Sequence, residues 1–301
     1  MDKQKKADLA LVVITFFWGI ANLISDYMMG FWAPMQLNAI RFIVAFIVSY
    51  AVLRRHMKSI SRATLLASVL VGFLLSVIYL FAMYGLKNSS SITTFSFVIA
   101  MPVIINPIIN LIFRRIVPEK KFLISLALSM AGLYLMTMKG GDFHMGKGEV
   151  LALLSATCYS IDICFTDVMV ARDDVDPRQF GMLQIGFGAV FMSLISLFLD
   201  RGHTLVWSPA IVAGLLTLAV GSTALAFIVQ PIAQQYTTSN HVGVIFTLEP
   251  VFSTLAAIIV IHEIVSGREY FGAVLMIAAV ILMNVDFKRK DKTNEEDPQH
   301  L

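Results

Sequence analysis

Five ionisable residues, Asp26, Arg41, Asp162, Asp167 and Glu249, fall within or at the ends of long apolar runs. An ionisable side chain at the centre of a bilayer costs roughly 2.5–3.5 kcal/mol, so each should face a cavity or a partner. Glu249 lies mid-run, directly before Pro250, whose missing amide opens the helical hydrogen-bond ladder. A carboxylate beside loosened carbonyls suits a cationic substrate group or a transported proton. The plainer alternative is a kinked helix whose Glu bonds to a neighbour. Asp162 follows Tyr159 by three positions, which puts acid and ring on one helical face. That pair would hold an ammonium group by charge and cation–π attraction. The alternative for Asp162 is a hydrogen bond to another helix.

Asp26 and Asp167 are expected near opposite membrane faces, and Arg41 about 10 Å deep in the second run. Arg41 is therefore expected to meet Asp26 as an ion pair that closes the outer side when the cavity faces inward, with Asp167 a gating candidate on the inner side. The alternative is that these acids cap helix ends. Asn22, Tyr79, Ser96, Asn106, Asn110, Thr223 and Gln230 complete a candidate polar wall. Taken singly, such residues are more often glue between helices. The candidate substrate-binding set is thus Glu249, Asp162, Tyr159, Trp18, Asn22, Tyr79, Asn106, Asn110 and Gln230.

The elements that must position these residues are apolar helices. The chain has 301 residues, 57% hydrophobic and 14% charged, with a mean hydropathy of +0.78. The expected spans are 8–28, 34–53, 65–86, 92–113, 122–138, 148–169, 179–199, 209–231, 240–261 and 270–286, each long enough to cross about 30 Å of hydrocarbon. With the N-terminus inside, seventeen of the 23 Lys and Arg fall in cytoplasmic segments and five in outer loops. That bias places both termini in the cytoplasm of a cell membrane, and it accounts for the net charge of +3 without nucleic acid. The tail 288–301 is expected to be disordered. No HExxH, nucleophile elbow, metal-spaced cysteine pair or phosphate loop occurs, so neither an enzyme nor a cofactor or metal is expected.

Residues 8–29 reappear in kind at 149–170: Asp8 aligns with Glu149, Trp18 with Tyr159 and Asp26 with Asp167. At a slightly larger offset YGLKNSSS (84–91) matches IAQQYTTS (232–239), and Pro102-Val103 matches Pro250-Val251. With five spans each, the second copy enters from the opposite side. Inverted repeats of this kind mark secondary carriers. The expected fold is all-α, ten transmembrane helices as two inverted repeats over 1–143 and 144–287.

Trp18-Gly19, Pro34 with Arg41, Pro102, the stretch 234–252, His262-Glu263 and Gly272 together resemble the EamA-type repeats of the drug/metabolite transporter superfamily. The resemblance covers about residues 8–287. It implies a ten-helix carrier for small metabolites such as amino acids, often an exporter, with a cavity between the halves. The chain departs from that pattern in carrying Asp26 where a Lys is common and Arg115 where an acid is common. Four carboxylates against one Arg favour a cationic or zwitterionic substrate, and buried carboxylates can exchange protons for cations. The expected partners are a small-molecule substrate, the lipid bilayer and protons, with the chain acting as a monomer or homodimer. A channel or receptor is the alternative, and an intramembrane enzyme a weaker one.

Overall fold

The computed structural model describes residues 2–89, 92–138, 145–262 and 264–285. Among the described residues ten helices are long and apolar enough to span a membrane. They are α1 (Lys3–Met29), α2 (Pro34–Leu53), α3 (Arg62–Asn88), α4 in two pieces (Ile92–Ile99 and Pro102–Arg114) and α5 (Lys120–Thr137). The second half follows as α6 (Lys147–Val170), α7 (Pro177–Leu199), α8 (Pro209–Gln234), α9 in two pieces (Ser239–Phe246 and Glu249–Ile261) and α10 (Gly267–Asn284). The expected spans agree with these within a few residues. The tail 288–301 and Glu263 lie outside the described residues.

Local chemistry sets the helix starts. Pro34, Pro177 and Pro209 open α2, α7 and α8, where a missing amide proton is no loss. Ser61, Asp176, Ser208, Thr238 and Ser266 accept backbone N–H bonds as N-caps. The outward faces stay apolar: Ile47, Phe113, Phe198 and Ile259 are all exposed, as hydrocarbon-facing side chains should be.

Packing follows the duplication. α2 lies against α7 and α5 against α10, each a helix against its own counterpart. α3 packs on α6 as α8 packs on α1, and α4 packs on α6 as α9 packs on α1. This is the contact pattern of a pseudo-twofold axis. At the α5–α10 crossing a Cβ on Gly132 would lie 2.6 Å from the Gly272 carbonyl oxygen, and one on Gly272 would lie 2.6 Å from that of Gly132. Only hydrogen atoms at both positions permit that approach.

The equivalent acids behave alike. Thr237 donates to Asp8 Oδ1 at 2.6 Å, and Ser89, the equivalent of Thr237, donates to Glu149 Oε1 at 2.5 Å. α4 and α9 both break before a proline, and both end on a left-handed residue that is not glycine, Arg115 (φ 55°) and His262 (φ 54°). The membrane face where the chain begins is called the N-terminal face below, and the opposite one the far face.

Candidate functional site

Between the halves lies a cavity of about 580 Å³. Its upper walls are the far-face ends of α1 (Asn22, Asp26, Met29), α3 (Met83, Leu86) and α9 (Ser253, Thr254), so it runs toward the far face. Its floor is aromatic. Trp18 and Phe246 meet edge to face at 4.7 Å, Tyr159 stacks on Phe246 at 6.2 Å, and Phe227 stands 6.2 Å from Trp18.

One acid and one base line this cavity at depth. Glu249 is the first residue of the second piece of α9 and accepts a 2.8 Å bond from Asn22 Nδ2. A helix N-terminus carries partial positive charge, which favours a carboxylate there. Arg41 is 5% exposed and meets only neutral acceptors. Its Nε donates to Thr223 Oγ1 at 2.5 Å, and its Nη2 to Ser222 Oγ at 3.0 Å, the Ser222 carbonyl at 3.4 Å and Tyr79 Oη at 3.5 Å. The guanidinium also lies 5.5 Å from the centre of the Tyr79 ring. Tyr79 lines the cavity together with Arg41 and Glu249 and accepts from the base.

The Ser222 carbonyl meets side-chain donors where the backbone ladder shifts. α8 is π-helical over Leu218–Leu225, and Thr223 Oγ1 donates back to the Leu218 carbonyl five residues earlier. A π turn shifts the ladder and leaves carbonyls for other donors. Trp18 Nε1 takes the Ser222 carbonyl at 2.8 Å, alongside Arg41.

Below the aromatic floor the protein is shut. Arg114 pairs with Asp167, which also accepts from Ser239 Oγ at 3.3 Å. Asn110 Nδ2 reaches Ser239 Oγ at 2.9 Å and Asn240 Oδ1 at 2.8 Å, and Asn106 Nδ2 reaches the Ser239 carbonyl at 3.0 Å. Asp8 Oδ2 lies 3.6 Å from His241 Nδ1, which Gln4 Nε2 also meets at 3.2 Å. These contacts sew α1, α4, α6 and α9 together at the N-terminal face.

The sequence matches the EamA-like transporter family twice, over residues 5–138 and 146–285. The chain belongs to that family. It is 24% identical over 283 residues to a protein of Archaeoglobus fulgidus named an uncharacterized transporter, covering 94% of this chain and 87% of that one. It is 22% identical over 290 residues to the Bacillus subtilis uncharacterized transporter YvbV, covering 95% and 93%. A solved crystal structure has the same fold, with a TM-score of 0.78 at 16% identity over 93% of this chain and 96% of the other.

In this EamA-like transporter the cavity gathers Glu249, Tyr159, Trp18, Asn22, Tyr79, Asp26 and Arg41 from the sequence candidates, with Ser96 beside them. The other four of the substrate-binding set are not in its wall, and neither are Thr223 and Asp167. Asp162 is 2% exposed and one turn past Tyr159, below the level at which the rings close the cavity. Asn106 and Asn110 bond α4 to α9, and Gln230 donates to Gln234 Oε1 at 3.1 Å within α8. With the cavity running to the far face, Asp26 and Arg41 stand apart, and the pairing expected for the opposite state is not tested. Asp26 is exposed at the cavity mouth, whereas the π turn of α8 draws the Arg41 fork away from it. Asp167 meets Arg114, a partner the sequence reading did not consider. Ser222, Phe227, Phe246, Ser239 and Asp8 were also missed. The Asp8–Glu149 match in the repeat was the one signal that could have raised Asp8.

Proposed function

We propose that this EamA-like transporter carries small zwitterions of the amino-acid kind by alternating access. The observation that carries this reading is that Arg41 and Glu249 line one cavity without pairing with each other. A substrate carboxylate fits the guanidinium fork and an ammonium fits Glu249, with the aromatic floor beneath. Of the four carboxylates counted in the sequence, Asp162 and Asp167 stand outside the cavity and Asp26 at its mouth, and Glu269, which also lines it, is bonded to the Ser266 amide and hydroxyl. This moves the balance from a plain cation to a zwitterion. The Lys and Arg bias supports a cytoplasmic N-terminal face in the cell membrane, and the family resemblance supports export. On that assignment the cavity described above opens outward and the seal is cytoplasmic.

Binding of radiolabelled amino acids to the detergent-purified chain tests the reading, with the corresponding decarboxylated amines and N-acetyl acids as competitors. Removing one partner of a buried charge pair costs about 2–5 kcal/mol, so each one-charge analogue should bind at least about thirtyfold more weakly. Glu249→Gln should abolish the preference for a free amine while leaving the need for a carboxylate. Amines that compete as well as their parent amino acids would remove Arg41 from the site and overturn the proposal.

A further inference from the structure

Asp162 has no role in the cavity. It lies between the aromatic floor and the N-terminal-face seal. Its Oδ1 has no hydrogen-bond partner, and neither do Asn106 Oδ1, Gln230 Oε1 and Tyr159 Oη. The amide groups of Asn106 and Gln230 are already committed, to the Ser239 carbonyl and to Gln234. Among the described residues no cation pairs with Asp162. Arg114 is held by Asp167, and His241 stands against Asp8.

The ionisable groups around this layer are few. α6 itself brings Tyr159, Cys164 and Asp167; α3 brings Tyr79, α4 brings Arg114, and α9 brings Glu249 and His241. α8 faces α6 with uncharged Gln230 and Gln234, and Gln234 donates to the Ile163 carbonyl at 2.9 Å. An unpaired carboxylate charge has nothing here to offset its desolvation. A proton removes that charge, supplies the missing donor and needs no added volume.

We infer that Asp162 is the proton-coupling site of the carrier, loaded while the N-terminal face is sealed and emptied to that face when the seal opens. Opening separates Arg114 and Ser239 from Asp167, five residues along the same helix, and lets water reach Asp162. Loading comes from the cavity side past Tyr159, which lines the cavity one turn before Asp162 on the same helix. Its unpartnered hydroxyl can accept one proton and pass on its own, so it ends unchanged. The proton is thereby carried by a residue that does not touch substrate, and Glu249 is left free for the ammonium group.

The coupling rests on the zwitterion-carrier reading, but proton binding at Asp162 does not, and the two are tested apart. Infrared spectra of the full chain in lipid nanodiscs, titrated in light and heavy water, should show a protonated-carboxyl C=O band that Asp162→Asn lacks. Absence of that band from the wild type, or its persistence in the variant, overturns the inference. In liposomes loaded with a 14C-labelled amino-acid mixture, a gradient of one pH unit should sustain about a tenfold concentration ratio at one proton per substrate. Asp162→Asn should keep wild-type exchange and lose accumulation entirely, and Asp162→Glu should restore it. Accumulation by Asp162→Asn equal to wild type, or accumulation driven by sodium and not by pH, overturns the coupling. A wild-type protein that exchanges none of the mixture rejects the zwitterion reading instead, and the infrared titration still decides Asp162.

Discussion

A buried guanidinium with no carboxylate beside it is held by geometry. Arg41 reaches Thr223, Ser222 and Tyr79 through two of its nitrogens, and all of these acceptors are neutral. Its full charge therefore remains available to the cavity. Lysine cannot copy this, because an ammonium is a point donor without the planar fork. Arg41→Lys should lose two or more charge-assisted bonds at about 1.5–3 kcal/mol each, and amino-acid exchange in liposomes should fall at least about tenfold. Exchange within twofold of wild type would show that charge alone suffices. Glu249 could be read from sequence because a proline directly after an intramembrane acid marks a broken helix whatever its neighbours do. Asp162 could not be placed that way. Its spacing from Tyr159 gives a shared face, but whether that face meets a cavity or a floor depends on Trp18 and Phe246, contributed by other helices.

Helix breaks position this site, and they differ in how visible they are. Pro102 and Pro250 announce the breaks in α4 and α9. The π turn of α8 carries no such mark: LAVGSTAL reads as an ordinary apolar segment, and the register shift depends on Thr223, Arg41 and Trp18 meeting there. Close crossings are legible only in part. A glycine in an apolar run permits close packing, but the mutual contact of Gly132 and Gly272 requires both backbones in place. A Cβ at 2.6 Å from a carbonyl oxygen forces α5 and α10 apart. Gly132→Ala should therefore destabilise the detergent-solubilised protein by about 1–3 kcal/mol, the usual range for overpacking, and lower its thermal unfolding temperature. Met136, Thr137 and Glu269 of these helices line the cavity, but none of them bonds Arg41 or Glu249, so the surviving folded fraction should still bind labelled amino acids. An unchanged unfolding temperature would mean the crossing relaxes at no cost.

At the scale of the whole molecule, the two repeats imply a second state that the first one specifies. Asp167 is the repeat equivalent of Asp26, and Arg114, 148 positions earlier, is that of His262. The seal made by Asp167 and Arg114 on the N-terminal face thus maps onto Asp26 and His262 on the far face, both exposed here. The packing brings them within range. α1 and α9 run parallel with Gly19 against Phe252 and Ser253, so seven residues further along Asp26 stands level with 259–260, less than a turn from His262. Asp26 should therefore close the far face with His262, and not with Arg41, which α8 holds at depth below the cavity mouth. Cysteines at Asp26 and His262, in a chain with Cys158 and Cys164 replaced by Ser, test this by oxidative cross-linking. Weakening the opposite seal with Arg114→Ala should raise the cross-linking rate several-fold, since loss of one partner of a partly buried ion pair biases the two-state equilibrium by 1 kcal/mol or more, roughly fivefold. A rate indifferent to Arg114→Ala would break the reciprocal link between the two faces, and faster cross-linking of Asp26→Cys to Arg41→Cys would return the gate to the pairing first read from the sequence.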